Sequence, residues 1–159
     1  MSKGRPTAIP ISDEEMAYHE AGHAVIHLLD GGTISRISID REDSRRGVQP
    51  AGALPEVTDE AAARTRAATA VAGEAAGLIR HEQRLRAAAE ADYEAALRAA
   101  RLVNHDEAAA QRLVMKESAR VRERLRRPDV WRQVEALAEA LLRQRTLSGE
   151  ETAQAVRGA

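Results

Sequence analysis

His19, Glu20 and His23 stand at the spacing H-E-x-x-H within the stretch "EEMAYHEAGHAVIHLL", residues 14–29. On a helix, residues four apart lie one above the other on one face. His19 and His23 can therefore bind a single metal ion through neutral imidazole nitrogens. Glu20 follows the first histidine and is rotated from it by about 100°. From there its carboxylate reaches a water on the metal without taking a ligand position. Zinc lowers the pKa of such a water towards ~7, and the glutamate accepts its proton as the water attacks a carbonyl. Ala21 and Gly22 are small and let a neighbouring backbone come close. His27 continues the spacing, but at eight residues from His19 it is too far for the same ion, and it reads as a surface or supporting histidine. A catalytic zinc takes a third protein ligand beside its water. Glu74, His81, Glu90, Asp92, Glu94 and His105 are candidates, and composition alone does not choose among them.

The elements that must hold these residues are mostly helical. With 159 residues the chain suits one domain, and 24 Lys+Arg against 25 Asp+Glu leave no strong field to favour nucleic acid or an anionic membrane. Cysteine is absent, which excludes disulfides, thiolate metal sites and cysteine nucleophiles. Any transition metal must then be held by His, Asp or Glu. Phe is absent and Tyr18, Tyr93 and Trp131 are the aromatics, so the core must come from Ala, Leu, Val and Ile. That composition suits close helix–helix packing. No apolar run approaches the ~20 residues needed to span a bilayer, and the N-terminus lacks the apolar segment of a signal peptide, so a cytoplasmic location is expected. The densest basic run, "RVRERLRRPDVWR" at 120–132, contains Glu123 and Asp129 and reads as a solvated helix face, not a phosphate-binding surface.

Residues 1–11 read as a flexible N-terminal arm and 12–159 as one domain. Ser12 and Glu15 have capping-box spacing and open a helix that Gly31-Gly32 stops after about Asp30. Apolar residues at Met16, Ala24, Val25, Leu28 and Leu29 surround this helix, which makes it central. "TISRISID" (33–40) has the β-branched alternation of a strand, and "GVQPAGALPE" (47–56) holds a short second one that Pro50 confines to a sheet edge or ends. Helices are expected over about 58–80, 88–103 and 105–126. Another starts at Pro128 with Val130, Val134, Leu137, Ala138, Leu141 and Leu142 on one stripe, and a short last helix is capped by Ser148 and Glu151. The expected class is mainly α (α+β), with a small two-stranded β element after the first helix.

Several stretches together resemble the peptidase domain of the FtsH family of ATP-dependent zinc proteases. "AYHEAGHAVI" (17–26) is similar to that family's zinc helix, and "ISRISID" followed by "GVQPAGALPE" to the strand and edge segment after it. "AVAGEAAGLI" (70–79) resembles a degraded form of its Gly-Arg-x-Ala-Glu helix, with Glu74 and Gly77 in place of the arginine and the final glutamate. "ADYEAALRAARLV" (91–103) is similar to the segment whose aspartate completes the metal site. "VEALAEALLRQRTLSGEETAQAV" (134–156) resembles the family's C-terminal ending.

The resemblance implies a zinc metallopeptidase with His19, His23 and Asp92 as ligands and Glu20 as general base. Tyr93, beside Asp92, is expected to pack in the core. An extended peptide or flexible protein substrate would add a strand along the edge segment, at Gly47, Val48 and Gln49. No G-x-x-x-x-G-K-[ST] motif occurs, so hydrolysis is expected to be independent of ATP in this chain and confined to flexible or unfolded polypeptides. The resemblance leaves room for a homo-oligomer or for an ATPase supplied by a separate chain. The altered Glu74 and Gly77 motivate a second expectation, a zinc-stabilised interaction or regulatory module with little or no turnover.

Overall fold

The computed structural model describes residues 11–81 and 86–159. The element order is α1 (Asp13–Leu29), β1 (Ile34–Ser38), β2 (Gly47–Pro50), α2 (Glu60–His81), α3 (Arg86–Arg101), α4 (Glu107–Leu125), α5 (Pro128–Gln144), β3 (Thr146–Ser148) and α6 (Gly149–Arg157). The protein is mainly helical with a small antiparallel sheet, as the patterning indicates. The expected N-terminal arm falls outside the described residues apart from Ile11, whose carbonyl accepts a hydrogen bond from Arg41.

The first helix begins where its chemistry dictates. Ser12 Oγ accepts from the Glu15 N–H at 3.1 Å and the Glu15 carboxylate accepts from the Ser12 N–H at 3.2 Å, which satisfies two otherwise unpaired amides. Asp13, in its first turn, also accepts from Arg145 (3.0 Å) and Arg41 (3.3 Å), and these cations hold its carboxyl below the usual range. Arg145 itself sits in the left-handed region (φ 64) at the end of α5, its N–H on the Leu141 carbonyl and its carbonyl on the Ile39 N–H. One residue thus joins α5, the sheet and the start of α1.

Helix α1 is central. It packs on α2 along one side and α5 along another. Ala17, Ala21, Ala24, Val25 and Ile26 are fully buried, while Leu29 faces solvent at 44% exposure. The α1–α2 crossing is close because Gly22 has no side chain. A Cβ there would lie 2.5 Å from Ala76 Cβ and 2.6 Å from the Ala72 carbonyl. The α5 stripe packs as the periodicity demands through Val130, Val134, Leu137, Ala138 and Leu141, but Leu142 is exposed. It lies at the rim of the stripe.

The sheet has three strands, not two, in the order β2-β1-β3. Strand β3 pairs antiparallel with β1 (Ile37 opposite Leu147) and buries Leu147. Three residues are too few to show alternation, and Ser148 also caps α6, which masks the strand in a helical reading. On the other side β2 pairs antiparallel with β1, Ile37 opposite Val48 and Ser38 opposite Gly47. It is an edge strand that ends at Pro50, as a proline requires.

Candidate metal centre

His19 and His23 lie one turn apart on α1, and Asp92 on α3 meets both. Asp92 Oδ2 is 2.9 Å from His19 Nε2 and 3.0 Å from His23 Nε2, and the two Nε2 atoms are 3.1 Å apart. A carbonyl oxygen can only accept, so the 2.7 Å contact between His23 Nδ1 and the Thr69 carbonyl on α2 is donated by Nδ1–H. That hydrogen bond fixes the tautomer and turns the Nε2 lone pair toward Asp92 and His19.

Three atoms rich in lone pairs therefore converge, and the charges show it. Burial disfavours the imidazolium at His23, but the Asp92 hydrogen bond and the charges of Glu20 and Asp92 outweigh it and hold this histidine up to about 9. Burial likewise raises Asp92, and the two histidines overcome it and bring the carboxyl down to about 2. In the metal-free protein a proton on His23 relieves the crowding. A divalent ion bound to all three donors would relieve it in the same way, displacing that proton.

The donor set fits such an ion. Bonds of about 2.0–2.1 Å in a tetrahedral site separate ligand atoms by about 3.3 Å, close to the 2.9–3.1 Å sides of this triangle. The room beside the two nitrogens is kept by Gly73 on α2. A Cβ at this position would lie 2.4 Å from His23 Nε2 and 2.6 Å from His19 Nε2, so both imidazoles would have to move. Among the described residues, His19, His23 and Asp92 are the group with the donors and spacing to hold a metal ion. His19 Nδ1 is buried and has no hydrogen-bond partner among the described residues.

The cluster lies in a groove of about 650 Å³. Glu20 is half-buried in its wall, and strand β2 contributes Gly47, Val48 and Pro50. Gly47 has φ +99, and a Cβ on it would lie 3.3 Å from Glu20 Oε2, so the start of the edge strand runs directly against the glutamate's carboxylate. Gln49 is not among the groove-lining residues. Its carbonyl instead accepts from Ser35 Oγ and its side chain donates to the Arg45 carbonyl. The other candidate ligands lie elsewhere: Glu94 pairs with Arg101 at 2.8 Å, His81 meets the Tyr18 ring, Glu90 and His105 are exposed, and Glu74 is half-buried on α2 outside the cluster. Tyr93 does not pack in the core. It is 38% exposed, because the buried stripe of α3 runs through Ala89, Ala96, Leu97 and Ala100 and leaves position 93 on the outer face. His27 contacts the Thr33 carbonyl at 3.1 Å on the groove wall.

Two contributors escape a search for ligand-bearing side chains. Thr69 acts through its carbonyl and carries no sequence signal. Gly73 does carry one: a glycine inside a helix costs about 1 kcal/mol relative to alanine, so one amid alanines calls for a packing reason. The chain matches no family model and no curated protein.

Proposed function

We propose that the protein is a zinc-dependent metallopeptidase that hydrolyses flexible or unfolded polypeptides. The observation that carries this reading is the combination of an N,N,O donor triangle with a carboxylate outside it, in one groove beside a sheet edge that no further strand covers among the described residues. A purely structural site has no need of Glu20 there. Zinc suits two imidazoles and one carboxylate, with a position left for water. When bound, the ion supplies a Lewis acid that polarises a carbonyl and acidifies a water.

The chain's own residues do the rest. Asp92 and the two histidines fix the ion, and the Thr69 carbonyl orients His23. The substrate lies extended along β2, whose outer edge offers main-chain donors and acceptors for strand addition, with Gly47 and Val48 lining the groove. Gln49 turns its carbonyl to Ser35 on β1, so that oxygen serves the sheet and not the substrate. Glu20 takes the proton of the attacking water and passes it to the leaving amine. The sequence carries no G-x-x-x-x-G-K-[ST] motif for an unfolding motor, so folded domains are poor substrates for this chain by itself.

Elemental analysis of protein purified without added metal, beside cleavage of an unstructured peptide library, tests the reading. One zinc per chain with chelator-sensitive cleavage is the expected result. Zinc without cleavage would turn the reading to a zinc-stabilised interaction module, and absence of zinc after reconstitution would remove the metal chemistry altogether.

A further inference from the structure

The groove holds charge that the metal chemistry does not use. Its lining outside the cluster is mostly apolar, with Val48, Leu54, Pro55 and several alanines. Besides Glu20, four charged or titratable side chains interrupt it: His27, Asp30, Arg46 and Arg66. Asp30 is neutralised by Arg124, whose Nη2 donates to it at 2.7 Å. His27 is engaged with the Thr33 carbonyl. The Arg66 guanidinium donates to the Pro55 carbonyl, a neutral partner that leaves its charge in place. Arg46 is exposed, and among the described residues no acidic side chain pairs with it.

The turn before β2 explains this surplus. In "REDSRRG" the Asp43 N–H bonds the Asp40 carbonyl and the Arg46 N–H bonds the Asp43 carbonyl, so the chain reverses twice in succession. The Asp43 carboxylate is spent on Arg36 and on the Arg45 N–H at 2.8 Å, and Arg36 first holds it below the usual range. The acid nearest in sequence is thus turned away, and Arg46 is delivered to the groove without an ion-pair partner among the described residues, one residue before Gly47, which adjoins the Glu20 carboxylate.

We infer that Arg46 makes the groove select substrates carrying an acidic side chain close to the scissile bond, on the side that passes the start of β2. This inference rests on the peptidase reading and adds the chemical class of its substrate. A peptide aligned on the β2 edge passes its side chains over Arg46, and a carboxylate there meets a cation beside an apolar wall. An amide gains little and a lysine is repelled. Because Arg46 is exposed, the attraction is modest and sensitive to salt.

The test uses fluorescence-quenched unstructured peptides of one sequence, with Glu, Gln or Lys placed at each position in turn. Their kcat/KM with the zinc-loaded wild type is compared with that of Arg46→Glu and of Arg45→Glu. The second variant makes the same change of net charge at an arginine outside the groove. At one position the wild type should favour Glu over Lys by about fivefold at low salt, the preference should shrink in high salt, and Arg46→Glu should reverse it while Arg45→Glu keeps it. Equal rates for all peptides, or the same loss in both variants, would overturn the inference. Binding of the same labelled peptides to zinc-loaded Glu20→Gln is the second readout. A Glu preference in binding without wild-type cleavage would uphold the acidic selection and sink the peptidase reading. No preference in binding, with cleavage intact, would do the reverse.

Discussion

Tyr18 and His19 are neighbours in sequence and lie in two different histidine neighbourhoods. His19 points to His23 and Asp92, with donor atoms 2.9–3.1 Å apart. Tyr18 points the other way. It stacks on Trp131 (5.9 Å, 24°), meets His81 edge-on (5.9 Å, 89°) and lies under the Arg80 guanidinium at 5.2 Å. Each neighbourhood holds a ring nitrogen buried without a hydrogen-bond partner among the described residues, His19 Nδ1 in one and His81 Nε2 in the other. Burial and an orphaned nitrogen are therefore common to both. What separates them is convergence: two imidazoles and a carboxylate aim at one point near α2, whereas His81 meets the edge of the Tyr18 ring. A histidine's company, more than its burial, decides whether it can serve as a metal ligand.

The largest test of this contrast removes the proposed base and leaves both neighbourhoods packed. Glu20→Gln keeps shape and volume, so bound zinc should stay at the wild-type level while kcat falls by about 10²–10⁴. Turnover surviving within tenfold would show that Glu20 is not the base. Next in size is the response of the metal-free protein to pH. His23 is raised in the folded state to about 9 from 6.5. A raised folded-state value gives stability that is fully present below pH 6.5 and is lost as pH rises through 9. Chemical denaturation of the metal-free protein should lose up to about 3 kcal/mol over that window. The zinc-loaded protein should not, because the ion has taken the proton's place. Flat stability in the metal-free form would mean that His23 and Asp92 are not held as close as 3.0 Å. A smaller effect comes from Gly73→Ala, whose methyl group must push both imidazoles aside. Metal affinity should drop by about 100-fold, at the upper end of what supporting residues contribute, with helical content unchanged by circular dichroism.

The helices were legible because their boundaries are set by short-range chemistry. Ser12 with Glu15 and Ser148 with Glu151 form the capping boxes their spacing implies. Pro128 starts α5, and the stripe from Val130 to Leu141 is buried. What failed to show was whatever depends on a partner distant in sequence. Strand β3 exists only because Leu147 meets Ile37, across more than a hundred residues. Tyr93 and Leu142 are apolar enough for the core but stand at the rims of their stripes, and the rotation of a helix against its neighbours is a tertiary quantity. At the metal centre, the His19–Glu20–His23 spacing is local and readable. The approach of Asp92 is not, since Glu90 and Glu94 on the same helix offer the same carboxylate. The roles of Thr69 and Gly73 are more hidden still, because α2 supports the site through a carbonyl and through a missing side chain.

The smallest predicted effect asks whether the two neighbourhoods are independent. Trp131 is half-buried, its ring on Tyr18 and its Nε1–H donating to Glu135 at 3.1 Å. Trp131→Ala removes that stack and should cost about 2 kcal/mol, less than a fully buried tryptophan. For a domain of this size Tm should fall by roughly 4–8 °C. Zinc affinity should change by less than about twofold, since His19 is oriented by Asp92 and α2 and not by the aromatic side of its own helix. A matching loss of zinc affinity would join the two neighbourhoods. It would mean that the Tyr18 stack sets the rotation of α1, and that the triangle of donors depends on a ring packed on the opposite face of the helix.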